Sequence, residues 1–527
     1  MTVRSFTAIA ALVFSATVAQ ADYTLHILHV NDLHSRIEPI NRFDSTCNAE
    51  DDAAGECFGG VARLATKVAE LRDALLADGQ NVILLDAGDQ FQGSLMYTTY
   101  KGAVEAEFMQ AIGFDAMAVG NHEFDDGPEG LASFLDLVSF PVISGNIDVS
   151  GSSVLAGRVQ RYTVLEVGDA RIGIVSALAV DTVETSSPGD DVIFADEATS
   201  LAGDVAALEA EGVDKIIALT HVGLPKDLDL AAAVPGLDAI VGGHSHTLMS
   251  NTVDGALPYP QMVGAVPVVQ AFAYSKYLGH LVLEFDDAGN VTSASGDTIL
   301  LDASVAADPA IAARVAELAG PIEEVKARLV AQAEGDVDGS RESCRIKECT
   351  MGNLVADAML DRVRSQGISI AIQNGGGLRA SIAAGEVTMG DVLGVLPFQN
   401  TLATFEATGA TVLAALENGL SQIDEGAGRF PQVAGMRYIF DPAADAGSRV
   451  VSADVDEGGT WAALDPAKTY GVVTNNYMRG GGDGYAIFET DGMNAYDFGP
   501  DLADVLAEYM ATNAPYQPYT DGRITMQ

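Results

Sequence analysis

Five times in the first half of the chain, a short β-branched run ends in a cluster of Asp, Asn or His. Leu25–Val30 is followed by Asn31-Asp32-Leu33-His34, Val82–Leu85 by Gly88-Asp89, and Ala116–Val119 by Gly120-Asn121-His122-Glu123-Phe124-Asp125. Lys215–Leu219 leads into Thr220-His221, and Ala239–Val241 into Gly242-Gly243-His244-Ser245-His246. Five of the eight histidines lie in these segments. Helical stretches such as Val61–Leu76 and Ala198–Ala210 separate the runs, and Ile172–Val175 adds a further one. This alternation predicts α/β layering, with helices packed over a sheet. In such folds ligands bind at the carboxyl ends of strands, so five strand ends would gather these polar groups at one rim.

With 527 residues the chain can form two or three domains, each with its own core. Around Val268–Ala271 and Leu281–Asp286 the strands come closer together. An Ala- and Glu-rich helical segment runs from Asp308-Pro309 to about Arg328, interrupted at Gly320-Pro321. The expected division is a leader over 1–21, a first domain over 22–305, a connector helix over 306–328 and a second α/β domain over 329–527. There is no short-period repeat and no low-complexity tract.

The leader reading rests on Arg4, the apolar run Phe6–Val18 and the Ala19-Gln20-Ala21 cleavage pattern, which places the mature start at Asp22. The run is short for a membrane span, and the last residues carry no hydrophobic tail. A periplasmic or secreted protein without a stable membrane anchor follows, as monomer or homodimer. Four cysteines fit an oxidising compartment and allow three connectivities; sequence proximity favours Cys47–Cys57 and Cys344–Cys349. The formal charge is −46, with 8 Lys against 20 Arg. That balance argues against nucleic acid polymers and anionic membranes as partners. It fits either a salty solvent or solubility alone.

Asp, Asn and His together suit Zn²⁺, Mn²⁺ or Fe²⁺ and not a thiolate site. There are enough donors for two ions with one shared carboxylate. Two ions at roughly 3.5–4 Å can clamp a phosphoryl group and supply hydroxide for in-line attack.

The strings NDLH, GDQ, GNHEFD, THVG and GGHSH, in that order, resemble the calcineurin-like metallophosphoesterases. With QNGGGLR (Gln373–Arg379), LPFQN (Leu396–Asn400) and GGGDGY (Gly480–Tyr485), the chain resembles the 5′-nucleotidase family over about residues 24–490. Cys344–Met359 and Cys57–Leu64 are most similar to its ecto-5′-nucleotidase branch, beside the bacterial UDP-sugar hydrolases. The resemblance implies a four-layer α/β/β/α metallophosphoesterase domain, a connector helix and a C-terminal α/β substrate-binding domain. It implies two divalent ions, Zn²⁺ or Mn²⁺. Asp32, His34, Asp89 and His246 would hold one; Asp89, Asn121, His221 and His244 would hold the other. His122 would stabilise or protonate the phosphoryl transition state, oriented by Asp125. Arg345 and Arg379 would pair with phosphate, a role open to Arg341 as well. Phe398 and Tyr477 would stack on a base, where Tyr477 stands in place of the usual Phe. Asn374 would contact base or ribose, and Asp483 would accept from ribose hydroxyls.

The implied activity is hydrolysis of nucleoside 5′-monophosphates. UDP-sugar hydrolysis and 2′,3′-cyclic-nucleotide cleavage are alternatives on the same scaffold. A thiosulfohydrolase and a non-catalytic nucleotide-binding protein are more distant ones. His26, His29 and His280 read as structural, Trp461 as packing, and Asp86 as a neighbour of the metal site.

Overall fold

A computed structural model describes residues 23–527, apart from 43, 45, 46, 48, 399, 497, 498 and the side chain of 184. The expected leader and its cleavage point lie outside the described residues.

Tyr23–Val30 is apolar on both faces, because Leu25 and Ile27 point one way and Leu28 and Val30 the other. A strand of that kind must be covered on both sides. It lies inside a six-stranded sheet, ordered Val291–Leu300, Tyr277–Phe285, Tyr23–Val30, Asn81–Asp86, Ala116–Ala118, Val142–Ile143. The last four run parallel. A second six-stranded sheet is ordered Gln261–Val263, Val266–Val269, Ala239–Gly242, Lys215–His221, Ala170–Leu178, Tyr162–Val167. Leu25, Ile27, Ile83 and Leu85 of the first sheet share one core with Ile174, Ile217 and Ile240 of the second. Helices cover the outer faces. Val61–Ala77 does so with Val61, Leu64, Ala65 and Val68, the i, i+3, i+4, i+7 stripe of an amphipathic helix. Glu197–Ala210 covers the second sheet. Four layers result, with His26 bonded to His280 (2.9 Å) within the first sheet and His29 of that sheet bonded to Tyr259 (2.8 Å) in the loop before Gln261–Val263.

The connector differs from its expected form. It is one unbroken helix, Pro309–Lys326, with Pro321 inside it. Pro321 and Gly320 lie on the exposed side, where water can take the carbonyl that proline leaves without a donor. Val315, Leu318, Ala319 and Ile322 sit in the core of the first domain. Each larger side chain of that stripe contributes about 1.5–3 kcal/mol by burial, which outweighs the lost hydrogen bond. Arg314 forks onto Glu107 (2.7 and 3.0 Å), and Tyr100 donates to the Leu318 carbonyl (2.8 Å). The helix therefore belongs physically to the first domain.

Beyond it, Leu329–Ala333 pairs with Gly385–Thr388. A five-stranded sheet follows, ordered Pro431–Ala434, Ile368–Asn374, Thr469–Asn475, Leu402–Thr408, Met493–Tyr496. Thr350–Val363 and Leu502–Thr512 pack on one side, and Gly409–Leu420 on the other. Both disulfides form as expected, Cys47–Cys57 and Cys344–Cys349. The second brackets Arg345, and Cys349 Sγ accepts from Gly352 N–H (3.1 Å) to cap the buried helix Thr350–Val363. Trp461 is not core: it is 44% exposed on a short strand, under Arg437 at 4.7 Å.

Candidate metal centre and nucleotide cleft

The strand ends of both sheets meet at one rim. Asp32 and His34 follow the first strand, Asp89 the second and Asn121 the third. His221 closes Lys215–His221, and His244 and His246 follow Ala239–Gly242. Asp32, His34, Asp89, His244 and His246 all have positive φ, between 50° and 74°. Such backbone costs a non-glycine residue about 1–3 kcal/mol and persists only where the surroundings impose it. Here the loops impose it on one another. Asp32 N–H donates to Gly88 O (2.9 Å), His34 N–H to Asp89 O (2.9 Å) and Ser35 N–H to Gln90 O (2.8 Å).

Three overlapping groups of donor atoms result among the described residues, Asp32/His34/His246, His34/Asp89/His122 and Asp89/His221/His244. Asp89 Oδ2 lies 3.1 Å from His221 Nε2 and 3.7 Å from His34 Nε2, between the first and third groups. Asp32 Oδ1 is 3.1 Å from His246 Nε2. Asn121 Oδ1 is 2.9 Å from His244 Nδ1 and 3.2 Å from His221 Nε2. His34 Nδ1 faces Phe91 O (3.1 Å) and His221 Nδ1 faces Ala87 O (2.7 Å). A carbonyl there fixes the ring proton on Nδ1 and leaves Nε2 to a ligand. Burial, reinforced by nearby His221, pushes His244 down to about 3. Burial with Arg379 and burial with Arg341 hold His34 and His246 well below their usual range. For His221 burial is overcome by Asp89 and Asp32, which raise it to about 10. Three imidazoles with lowered pKa, two buried carboxylates and the Asn121 amide oxygen make a donor set that fits divalent cations, and His221 would give up its Nε2 proton on binding one.

Beside them, His122 Nδ1 is 2.6 Å from Asp125 Oδ2, and Ser186 donates to Asp125 Oδ1 (2.7 Å). Burial lowers His122, but Asp125 and Asp89 raise it further, so its net shift is upward.

The second domain closes over this rim. Arg379 Nη2 is 3.0 Å from His34 Nε2. Arg345 is 7% exposed, and its Nε is among the buried atoms without a partner. Arg341 contributes charge at Asp32, His244 and His246. Phe398 stacks on His122 at 5.7 Å and lies 5.5 Å from the Arg379 guanidinium. Asn374 Nδ2 donates to Asp483 Oδ2 (2.7 Å), while its Oδ1 accepts from Gln373 and Asn475. Its side chain is thus engaged in holding Asp483. Tyr477 is bonded to Asp483 Oδ1 (3.2 Å). From the first domain, Thr182–Thr185 packs against the Gly482–Gly484 turn.

Residues 25–248 match the calcineurin-like phosphoesterase family model, and residues 329–490 match the 5′-nucleotidase, C-terminal domain model. A 5′-nucleotidase of Homo sapiens is 39% identical, over 96% of this chain and 91% of its own. The chain belongs to the 5′-nucleotidase family. Its members are metal-dependent phosphoric monoester hydrolases. The crystal structure of a 5′-nucleotidase precursor from Thermus thermophilus is 39% identical, with a TM-score of 0.90 over 96% of this chain and 99% of that one. A sulfate thiohydrolase of the same organism shares the fold, at 19% identity and a TM-score of 0.79 over 97% of this chain and 98% of that one.

Several residues that shape this 5′-nucleotidase-family site were given no site role by the motifs. Glu123 accepts from four backbone N–H groups: Asp89 (3.0 Å), Gly120 (2.6 Å), Gln90 (2.8 Å) and Phe91 (3.2 Å). Glu105, on a helix, accepts from Ser35 behind His34. Gln270 binds Gly243 O (2.9 Å), Ser245 Oγ (3.0 Å) and Thr247 N–H (3.0 Å), and so holds the His244–His246 turn. Tyr274 donates its N–H to Asp32 O (2.8 Å) and takes Arg36 over its ring at 5.3 Å. Asp86 accepts from Gly88 N–H (2.9 Å) and Gln90 Nε2 (2.5 Å), so it shapes the Asp89 loop, as its position suggested.

Proposed function

We propose that the chain is an exported 5′-nucleotidase that hydrolyses nucleoside 5′-monophosphates to nucleoside and phosphate. The observation that carries this reading is that two half-sites face each other, with Arg379 Nη2 3.0 Å from His34 Nε2 across the domain boundary. In this reading Asp32, His34, Asp89 and His246 hold one divalent ion. Asp89, Asn121, His221 and His244 hold the second, Zn²⁺ or Mn²⁺. Bound there, the ions supply Lewis acidity to the attack on phosphorus.

The chain's own residues do the rest. His34 Nε2 has one lone pair; with that lone pair given to a metal ion, Arg379 would be free to pair with a phosphoryl oxygen. Arg345 and Arg379 then pair with the phosphate through planar N–H forks. His122, whose imidazolium form the neighbouring Asp125 favours, stabilises or protonates the charge that develops on the phosphoryl group. Phe398 and Tyr477 bracket the base, and Asp483 accepts from the ribose hydroxyls. Because the reacting and recognising groups sit on different domains, the second domain must swing away to admit substrate. No helix among the described residues is long and apolar enough to cross a membrane. Together with the leader-like first residues, this supports a periplasmic or secreted enzyme.

Arg341 favours a second reading. It adds a third guanidinium beside Asp32 and His246, as a substrate with two phosphates would need. The test is product release from AMP, UDP-glucose, 2′,3′-cyclic AMP and a thiosulfonate, using chelator-stripped protein resupplied with Zn²⁺, Mn²⁺ or Co²⁺. Preference for AMP supports the first reading, and preference for UDP-glucose the second. Release from no nucleotide, with wild type equal to His122→Ala, overturns both.

A further inference from the structure

The Tyr477 ring would suffice to stack on a base, yet its hydroxyl is fully engaged. It donates to Asp483 Oδ1 (3.2 Å) and accepts from Asp483 N–H (3.1 Å). The ring lies flat against Gly482, where a Cβ would collide with it. Asp483 sits at φ 55°, left-handed for a non-glycine residue, and is 7% exposed. Its backbone carbonyl accepts from Asn418 Nδ2 (3.0 Å), and its Oδ2 from Asn374 Nδ2 (2.7 Å). Burial and Asp483 push the Tyr477 phenol well above its ordinary range, so it stays protonated and able to donate.

Each carboxylate oxygen offers two lone-pair sites. Tyr477 takes one on Oδ1 and Asn374 takes one on Oδ2. One site remains on each oxygen. That pair matches two neighbouring O–H donors, the vicinal diol of a ribose. We propose that the Tyr477 hydroxyl is a specificity-determining positioning residue, which turns Asp483 into a two-point acceptor for ribose. This rests on the 5′-nucleotidase reading and extends it to the sugar. Without the hydroxyl, Oδ1 regains a lone pair and the carboxylate can rotate. The second sugar contact is then lost, while the ring still stacks.

The experiment compares kcat/KM for AMP and 2′,3′-dideoxy-AMP in wild type, Tyr477→Phe, Asp483→Asn and the double variant. Removing one hydrogen bond to a charged group is worth roughly tenfold. The AMP-to-dideoxy ratio is therefore expected to fall about 5–10-fold in Tyr477→Phe, with the loss falling mainly on AMP. In the Asp483→Asn background the same substitution should change the ratio little, because the two act as a unit. Inhibition by adenosine against 2′,3′-dideoxyadenosine reads the same ratio independently of turnover. An unchanged ratio in Tyr477→Phe, or an equal fall in both backgrounds, overturns the inference. Wild type that hydrolyses AMP and its dideoxy analogue equally well overturns it too, and leaves the nucleotidase reading standing. Wild type inactive on both overturns both.

Discussion

Glu123→Gln is the sharpest probe of how the metal rim is held. The carboxylate spans two loops: Oε2 accepts from Asp89 N–H (3.0 Å) and Gly120 N–H (2.6 Å), and Oε1 from Gln90 N–H (2.8 Å) and Phe91 N–H (3.2 Å). A glutamine has one oxygen, so its NH₂ must face two N–H donors whichever way it turns. Two hydrogen bonds go, and two buried donors lose their acceptor, at about 1–3 kcal/mol each. After relaxation a net loss of about 3 kcal/mol in first-domain stability is expected. Burial and Asp89 push Glu123 up to about 7, against the pull of His221 and of the Gly120 and Asp89 N–H groups. Bound divalent ions add to that pull and favour the charged form, so the substitution matters most in the metal-loaded protein. Displacing the support of a metal ligand commonly lowers affinity by about 10–100-fold. The assay is Mn²⁺ or Zn²⁺ titration of stripped protein against a competing chelator, with urea unfolding of apo and loaded forms. A Glu123→Gln protein that takes up both ions with wild-type affinity and unfolds at the wild-type midpoint refutes the reasoning.

Three further outcomes are expected. Asp125→Asn removes the carboxylate that, after the opposing effect of burial, does most to raise His122. An acid role for His122 is lost as pH rises through its folded pKa, so the alkaline limb of kcat should move to lower pH in the variant; an unmoved limb counts against that role. A Cβ built on Gly390 lies 3.2 Å from Lys326 Cβ, close to disulfide range. Oxidised Lys326→Cys/Gly390→Cys should lose at least about tenfold in steady-state turnover and regain it on reduction; full activity while oxidised would show that the domains need not part. With a net charge of −46, long-range repulsion of a nucleotide is screened by salt. KM for AMP should therefore hold or fall as ionic strength rises, and a steep rise would place the dominant attraction outside the cleft.

That the seven candidate donors gather at one rim was legible, because each sits within a few residues of a strand end and strand ends of parallel sheets converge by construction. Their supports were not. Ser35 and Glu105 are 70 residues apart, and Thr247 and Gln270 are 23 apart on different elements; no spacing rule joins them. Glu123 stood inside a recognised motif, but a carboxylate read as a neighbour of ligands gives no sign that it gathers four backbone donors. Pro321 was misleading for a different reason. Local propensity predicts a break there, whereas the Val315, Leu318 and Ile322 stripe keeps the helix on the core. Trp461, read as packing, packs at the surface against Arg437, because its strand is three residues long and peripheral. The cleft contacts, such as Phe398 on His122, depend on how two domains meet, which no local pattern encodes.

The membership of helix Pro309–Lys326 in the first domain's core leaves a narrow seam between the halves. Ala327 and Arg328 alone separate that helix from the strand Leu329–Ala333. Such a seam makes the two halves separable heritable parts. One half carries the rim of candidate metal ligands, whose loops brace each other. In the proposed function the other half carries the groups that recognise the substrate. Substitutions that retune the carried group can accumulate on the second half without disturbing the strained loops of the first. A lineage built this way can diversify its diet while its chemistry stays still.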